Sequence, residues 1–232
     1  MSQAQWLSQW PNVPAPTNAA VLLQQQLGSD PDWATPAHIS QVSKRLGDAG
    51  LALLVIDSNS PAASEAQFEQ RLDECARAAE LLGVPSASDI HLNQLPSALE
   101  ALQPHDKRGR LRRRLRHMVS ERARSAAFYD LISHGLGSGG APDLEATQIA
   151  GQLMDASHAS LRDDFEATAP QTDLAVATAH GAGAFGARML GDGFGGTVLA
   201  LVPIAEVESI AEAVVHGFAS VGFTPPAFYL VS

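Results

Sequence analysis

The sequence predicts an α+β fold, a small sheet with helices packed on one face. Three observations carry this. Two continuous apolar runs, at Leu51–Asp57 and Thr197–Val202, have the texture of buried strands. A long block of apolar residues at helical spacing separates them. The chain has 232 residues, 45% of them hydrophobic and 17% charged, so it can bury a core and lies far from disordered composition.

Taken in order, residues 1–40 read as an extension. Trp6, Trp10, Pro11, Pro14 and Pro16 precede one short helical candidate, Ala19 to Leu27, and a turn-rich stretch follows from Gly28 to Asp32. The first strand, Leu51 to Asp57, is ended by Ser-Asn-Ser-Pro. Phe68, Leu72, Cys75, Ala79 and Leu82 then mark a helix, with Gly83 as its stop signal. Ser88 to Leu102 holds one or two short helical turns. Leu111, Leu115, Met118, Val119, Ala126 and Leu131 define a long helix that the glycine-rich linker 135–140 terminates. Asp143 is placed to cap the next helix, which carries Ile149, Leu153, Met154 and Leu161. Thr172 to His180 makes a shorter one. After the second strand, Val207, Ile210, Ala211, Val214, Val215 and Phe218 form one apolar face closed by Gly222, and Ala227 to Val231 is the last strand.

Charge and cysteine content exclude several classes of function. A net charge of -10 and a pI near 5.1 repel phosphate backbones and anionic lipid, so neither nucleic acid nor membrane is an expected partner. The single cysteine, Cys75, allows no intramolecular disulfide and no cysteine-based zinc site. No basic leader with an apolar run opens the chain and no apolar stretch nears membrane-spanning length, which predicts a soluble, cytoplasmic protein.

Three constellations invite chemistry. Gly186-Ala-Arg-Met-Leu-Gly191-Asp-Gly193-Phe-Gly195-Gly196-Thr197 is dense enough in glycine to bring backbone close to a ligand, or to form a tight, twisted hairpin. The hairpin is the favoured reading, and no Gly-Lys-Ser/Thr follows to make a phosphate loop. Ser157, His158 and nearby aspartates suggest a triad, but adjacent residues on a helix point about 100° apart. His158 is therefore expected to be a structural polar group. Lys107, Arg108, Arg110, Arg112, Arg113, Arg114 and Arg116 form a basic cluster, which the interruptions at Leu111, Leu115 and Met118 mark as the solvated face of the long helix, with acidic groups elsewhere available to pair with it.

The glycine-rich segment resembles the third signature of the GHMP kinases (galacto-, homoserine, mevalonate and phosphomevalonate kinases) in its galactokinase form. Upstream, Leu153-Met154, Ser157-His158, Ser160-Leu-Arg-Asp-Asp164-Phe-Glu166, Pro170 and Asp173 are similar to the helix that precedes this signature. Arg112 to Glu121 and Leu51 to Asp57 fit the same C-terminal half in the expected order. The resemblance runs from about residue 48 to the end and implies a four-stranded antiparallel sheet of ferredoxin-like type. It also implies ATP and magnesium as cofactors and galactose as a possible partner. Gly191, Gly193, Gly195 and Gly196 would shape backbone near the phosphates, Arg188 would anchor the hairpin, and Ser157, His158 and Asp164 would be structural.

Three motifs of the family are not found: the early Gly-Arg-x-Asn-Leu-Ile-Gly-Glu-His-Thr-Asp-Tyr grip on the sugar, the Pro-x-x-x-Gly-Leu-Ser-Ser-Ser-Ala phosphate cradle, and the Met-Asp-Gln aspartate. Trp33-Ala-Thr-Pro36 looks like the lead-in to the first, but Ala37-His38 stand where Gly-Arg is expected. The expectation is an internally deleted galactokinase, with residues 1–47 as an N-terminal remnant and 48–232 as the C-terminal domain. Leu190 and Asp192 also depart from the signature. A carboxylate in a loop near triphosphate adds repulsion on the order of a few kcal/mol. The chain is expected to be inactive alone, or to serve as a non-catalytic module that pairs with another kinase-like chain through an uncovered, apolar sheet face.

Overall fold

Alternation of apolar runs and glycine stops gives the four strands of the main sheet, β1 (Leu51–Asp57), β2 (Gly186–Met189), β3 (Thr197–Pro203) and β4 (Ala227–Val231), beside a separate short ribbon of Gly137–Ser138 with Ala141–Pro142. The computed structural model describes residues 42, 44–61, 65–139, 141–190 and 196–231. The expected extension before residue 42, with its helical candidate at 19–27, lies outside them.

The strands form one antiparallel sheet in the order β2-β3-β1-β4. This is the ferredoxin-like order that the resemblance implies. In register, Asp57 stands opposite Thr197 and Ala227, and Met189 opposite Val198.

The helices that accompany the sheet among the described residues include α1 (Glu65–Leu82), α2 (Leu95–Leu102), α3 (Arg110–His134), α4 (Leu144–Ser160), α5 (Pro170–Gly181) and α6 (Val207–Val221). The expected stop signals act as read. Gly83 and Gly222 adopt the left-handed backbone (φ 68° and 76°) that closes a helix, and the Asp143 carboxylate accepts the Ala146 amide at 3.1 Å.

Alternation along β1 sorts its side chains to two cores. Ala52, Leu54 and Ile56 pack with α5 and α6 through residues such as Val176, Val214 and Phe218. Leu51, Leu53 and Val55 pack on the other side with Ile132 of α3, Ala150 and Met154 of α4, and Leu46. The α+β class and small sheet are as expected, but the helical cover is wider than one face. The long insertion between β1 and β2 folds back over the second face, so no apolar sheet face stays open among the described residues. The large apolar side chains that do remain exposed, Leu72, Leu92, Leu144, Ile149 and Val221, are scattered. A third core joins α1, α2 and α3 through Ala78, Ala98, Leu102, Leu115 and Val119. Among the described residues, no helix is long and apolar enough to cross a membrane.

Candidate functional site

The glycine hairpin leaves the sheet after β2 and returns into β3. Gly191, Gly193 and Gly195 lie outside the described residues, while Gly196 and the two strands are inside. What surrounds the hairpin begins with α4. This helix lies against the free edge of β2, where glycine on both sides permits the approach. A Cβ on Gly151 would fall well under 3.0 Å from the Phe185 carbonyl, and one on Gly186 equally close to the Gly151 carbonyl. Asp155 and His158, one turn apart on α4, then accept the two outward amides of the edge. Ala187 N–H donates to Asp155 Oδ1 at 2.9 Å and Met189 N–H to His158 Nδ1 at 3.2 Å. The edge of β2 is thereby satisfied without another strand.

These bonds fix the orientation of the His158 ring. Its Nδ1 accepts from backbone and so carries no proton, which leaves the proton on Nε2, facing Asp173 Oδ1 at 3.1 Å. Burial would raise the Asp173 carboxyl, but hydrogen bonds from His158 and Thr168 outweigh it and hold the group below the usual aspartate range. His158 is a pin between α4, α5 and β2, and its geometry gives it no nucleophile to activate.

Arg188 projects from β2 into a second cluster. Its Nη1 donates to Glu121 Oε1 at 2.7 Å and its Nε to the Met189 carbonyl at 2.9 Å. The Ser157 hydroxyl donates to the same Glu121 oxygen at 2.6 Å, and Arg124 reaches the other at 2.9 Å. Burial alone would raise Glu121; Arg188, Ser157 and Arg124 outweigh it and keep the carboxyl low. Arg188 and Ser157, both singled out in the sequence, thus meet at a carboxylate on α3 that sequence reasoning missed.

Asp164 belongs to a third network. Residues 161–165 widen into a π-helical turn that ends at Glu166 in the left-handed region (φ 56°). This turns the Asp164 carbonyl toward Arg114 and the Phe165 carbonyl toward Arg71, the latter at 2.9 Å. Arg114 is fully buried and also donates to Glu74 at 2.7 Å and Glu166 at 2.6 Å. The Asp164 carboxylate takes Arg116 at 2.7 Å. Arg112 pairs with Asp106 and Arg113 with Glu166. Much of the basic cluster is therefore neutralised within the fold by the acidic groups expected to pair with it, but Arg114 lies fully buried and not on a solvated face.

His117, buried beside this network, is stacked on Phe165 and lies 3.0 Å from the Ser160 hydroxyl. Burial pushes its pKa down from 6.5 to about 4. Between those values the unfolded chain holds a proton on this ring that the folded protein does not, so acidification favours unfolding. Stability is expected to fall by up to about 3 kcal/mol from pH 7 to pH 4 through this residue. Urea unfolding of His117→Gln should show a flatter pH slope over that range than the parent.

At the end of the sheet beside the hairpin, β1 gives way to Ser58, Asn59 and Ser60. Ser58 N–H donates to the Gly196 carbonyl at 2.8 Å, and Leu190 N–H to the Thr197 carbonyl at 2.9 Å. Asn59, with φ 50°, turns its amide to Asp57 Oδ1 at 3.0 Å and its side-chain Nδ2 to the Pro225 carbonyl at 2.7 Å. Among the described residues, no group of three or more His, Cys, Asp or Glu converges to hold a metal. Asp155, His158, Asp173, Glu121 and Arg188 are all engaged in holding α3, α4, α5 and β2 together. Arg188, the cation singled out in the glycine-rich segment, is committed to Glu121.

The spacing of Gly151, Asp155 and His158, four and then three residues, places them on one face of α4 and is the signal that could have located this edge cap.

Comparison with known proteins agrees with this geometry. The family model described as GHMP kinases C terminal matches residues 142–219. The chain is 36% identical over 190 residues to the galactokinase of Streptomyces coelicolor, covering 82% of this chain and 46% of that protein. It is 35% identical over 178 residues to the galactokinase of Mycobacterium tuberculosis, covering 76% and 45%. It spans less than half the length of these curated relatives. The structure is similar to that of Lactococcus lactis galactokinase complexed with galactose, with a TM-score of 0.69 and 27% identity over 80% of this chain and 46% of that one.

Proposed function

We propose that this chain, which is similar to the GHMP kinases C terminal over residues 142–219 and 36% identical to a galactokinase over 190 residues, represents the C-terminal half of a galactokinase-type sugar kinase and that these 232 residues transfer no phosphate alone. Residues 48–232 are the domain and 1–47 an N-terminal remnant joined to it by an internal deletion. The family reaction passes the γ-phosphoryl group of ATP to galactose with magnesium, and depends on positioning and on neutralising developing charge. The sugar grip, the phosphate cradle and the aspartate that supply these are not found in the sequence. In this reading the hairpin glycines shape backbone beside a phosphate site that another segment must complete. Arg188, Ser157, His158 and Asp164 hold the hairpin and its supporting helices in place.

The observation that carries the reading is the commitment of Asp155, His158, Asp173, Glu121 and Arg188 to structural pairs. A coupled assay for ADP release with galactose, ATP and magnesium is expected to stay at the level of the protein-free blank. Galactose 1-phosphate accumulating with enzyme concentration would overturn the proposal. The covered sheet favours a second reading, a non-catalytic binding module that stands on its own core. Calorimetric titration with galactose and with MgATP separates the two, since a module binds one of them without turnover.

A further inference from the structure

The N-terminal end of α3 and the side of α1 packed against it carry more positive charge than the fold neutralises. Arg71, Arg110, Arg113 and Arg114 share two carboxylates, Glu74 and Glu166. Arg110 reaches Glu74 only at 3.8 Å and keeps 45% of its side chain exposed. Nε of Arg113 is buried with no partner among the described residues, so the internal pairing is incomplete. Beside them Lys107 and Arg108 are exposed, and among the described residues neither forms an ion pair. From this we infer that the α1–α3 face is a docking surface for a short acidic segment of a partner polypeptide.

Range decides whether the patch is felt. The chain as a whole carries a net charge of -10, which would repel an anion at long distance. At physiological salt, charges more than about 8 Å apart are largely screened from one another. An anion arriving at this face therefore meets Lys107, Arg108 and Arg110 before the acids elsewhere. The same range selects the occupant. A segment of a few acidic residues fits within the patch, whereas a nucleic acid strand would run on across a surface that is acidic on balance.

The chemistry agrees with the charge. The arginine fork suits carboxylates, and Arg114 and Arg113 already take the two oxygens of Glu166 at 2.6 and 2.9 Å. The patch is also separate from the glycine hairpin. Glu121, which holds Arg188, lies about 16 Å further along α3 from Arg110.

The test is fluorescence anisotropy of a short labelled peptide of alternating Asp and Glu, titrated with the 232-residue chain, with an Asn/Gln peptide as the neutral control. The acidic peptide is expected to bind, the neutral one to stay free, and affinity to fall as sodium chloride is raised. Lys107→Ala combined with Arg108→Ala is expected to weaken binding roughly 3- to 10-fold while the melting temperature holds, since neither side chain is buried. Lys44→Ala combined with Arg45→Ala removes the same charge beside Leu46, which shares a core with Ile132 at the far end of α3. That pair should change affinity by less than about 2-fold. Equal weakening by both pairs overturns the surface, because binding then follows overall charge. Absence of peptide binding overturns it as well, and so does tighter binding of a single-stranded oligonucleotide of equal charge. A lowered melting temperature in the Lys107/Arg108 variant passes the decision to Arg108→Gln, which keeps much of the stem and must weaken binding for the proposal to stand.

Discussion

Gly151→Ala will cost the protein more than about 4 kcal/mol, a large share of the roughly 5–15 kcal/mol by which a folded domain is stable. The new methyl group meets the Phe185 carbonyl, and both sides of that collision are backbone. A crowded side chain can turn aside, but a carbonyl in the strand-entry segment can move only with β2 itself. Moving β2 away from α4 breaks the Asp155 and His158 bonds to its edge and opens the core beneath Met154. Gly186→Ala, the same contact seen from the strand, should match it. Gly181→Ala is the control, because nothing lies within 4 Å of the added carbon, and its effect should stay within about 0.5 kcal/mol. Urea unfolding followed by circular dichroism measures all three. A Gly151→Ala protein as stable as the control would refute the close packing described for α4 and β2.

Replacement of Arg114 by methionine is expected to remove about 3–5 kcal/mol and lower the melting temperature by roughly 6–20 °C. Methionine keeps much of the buried stem but leaves Glu74 and Glu166 without their central cation and the Asp164 carbonyl without its donor. Lysine should not rescue the loss, because one ammonium cannot present the planar fork that meets three acceptors on α1 and the π-helical turn. Replacing the arginine leaves negative charge that is partly shielded from water, and this accounts for most of the penalty. A loss below 1 kcal/mol would mean that Arg71 and Arg113, which also reach Glu166, suffice.

Much of the fold was legible because local signals and burial agree. The apolar run at Leu51–Asp57 can hide both its faces only inside a sheet, and Asp143 and Gly222 act at the helix ends where their chemistry places them. The second-face cover was not legible. It depends on where α3 and α4 fold, and helical spacing states which side of a helix is apolar without naming what it meets. Glu121 was hidden for the same reason: a glutamate on a charged helix looks solvated until Arg188, some 67 positions later, arrives beside it. The π-helical turn at 161–165 escaped because its sequence also satisfies an ordinary helix, and the arginines that stabilise the widened form are distant in the chain.

The central strand imposes an order of assembly. Its two neighbours in the sheet come from residues 197–203 and 227–231, so Asp57 meets Thr197 across about 140 intervening positions. Loop closure over that span is entropically costly until the intervening helices have condensed, and contacts so remote in sequence slow the search. During synthesis, β1 must wait, apolar on both sides, for residues 197–231 to emerge. The helical insertion is the part of the molecule able to shelter it in the meantime.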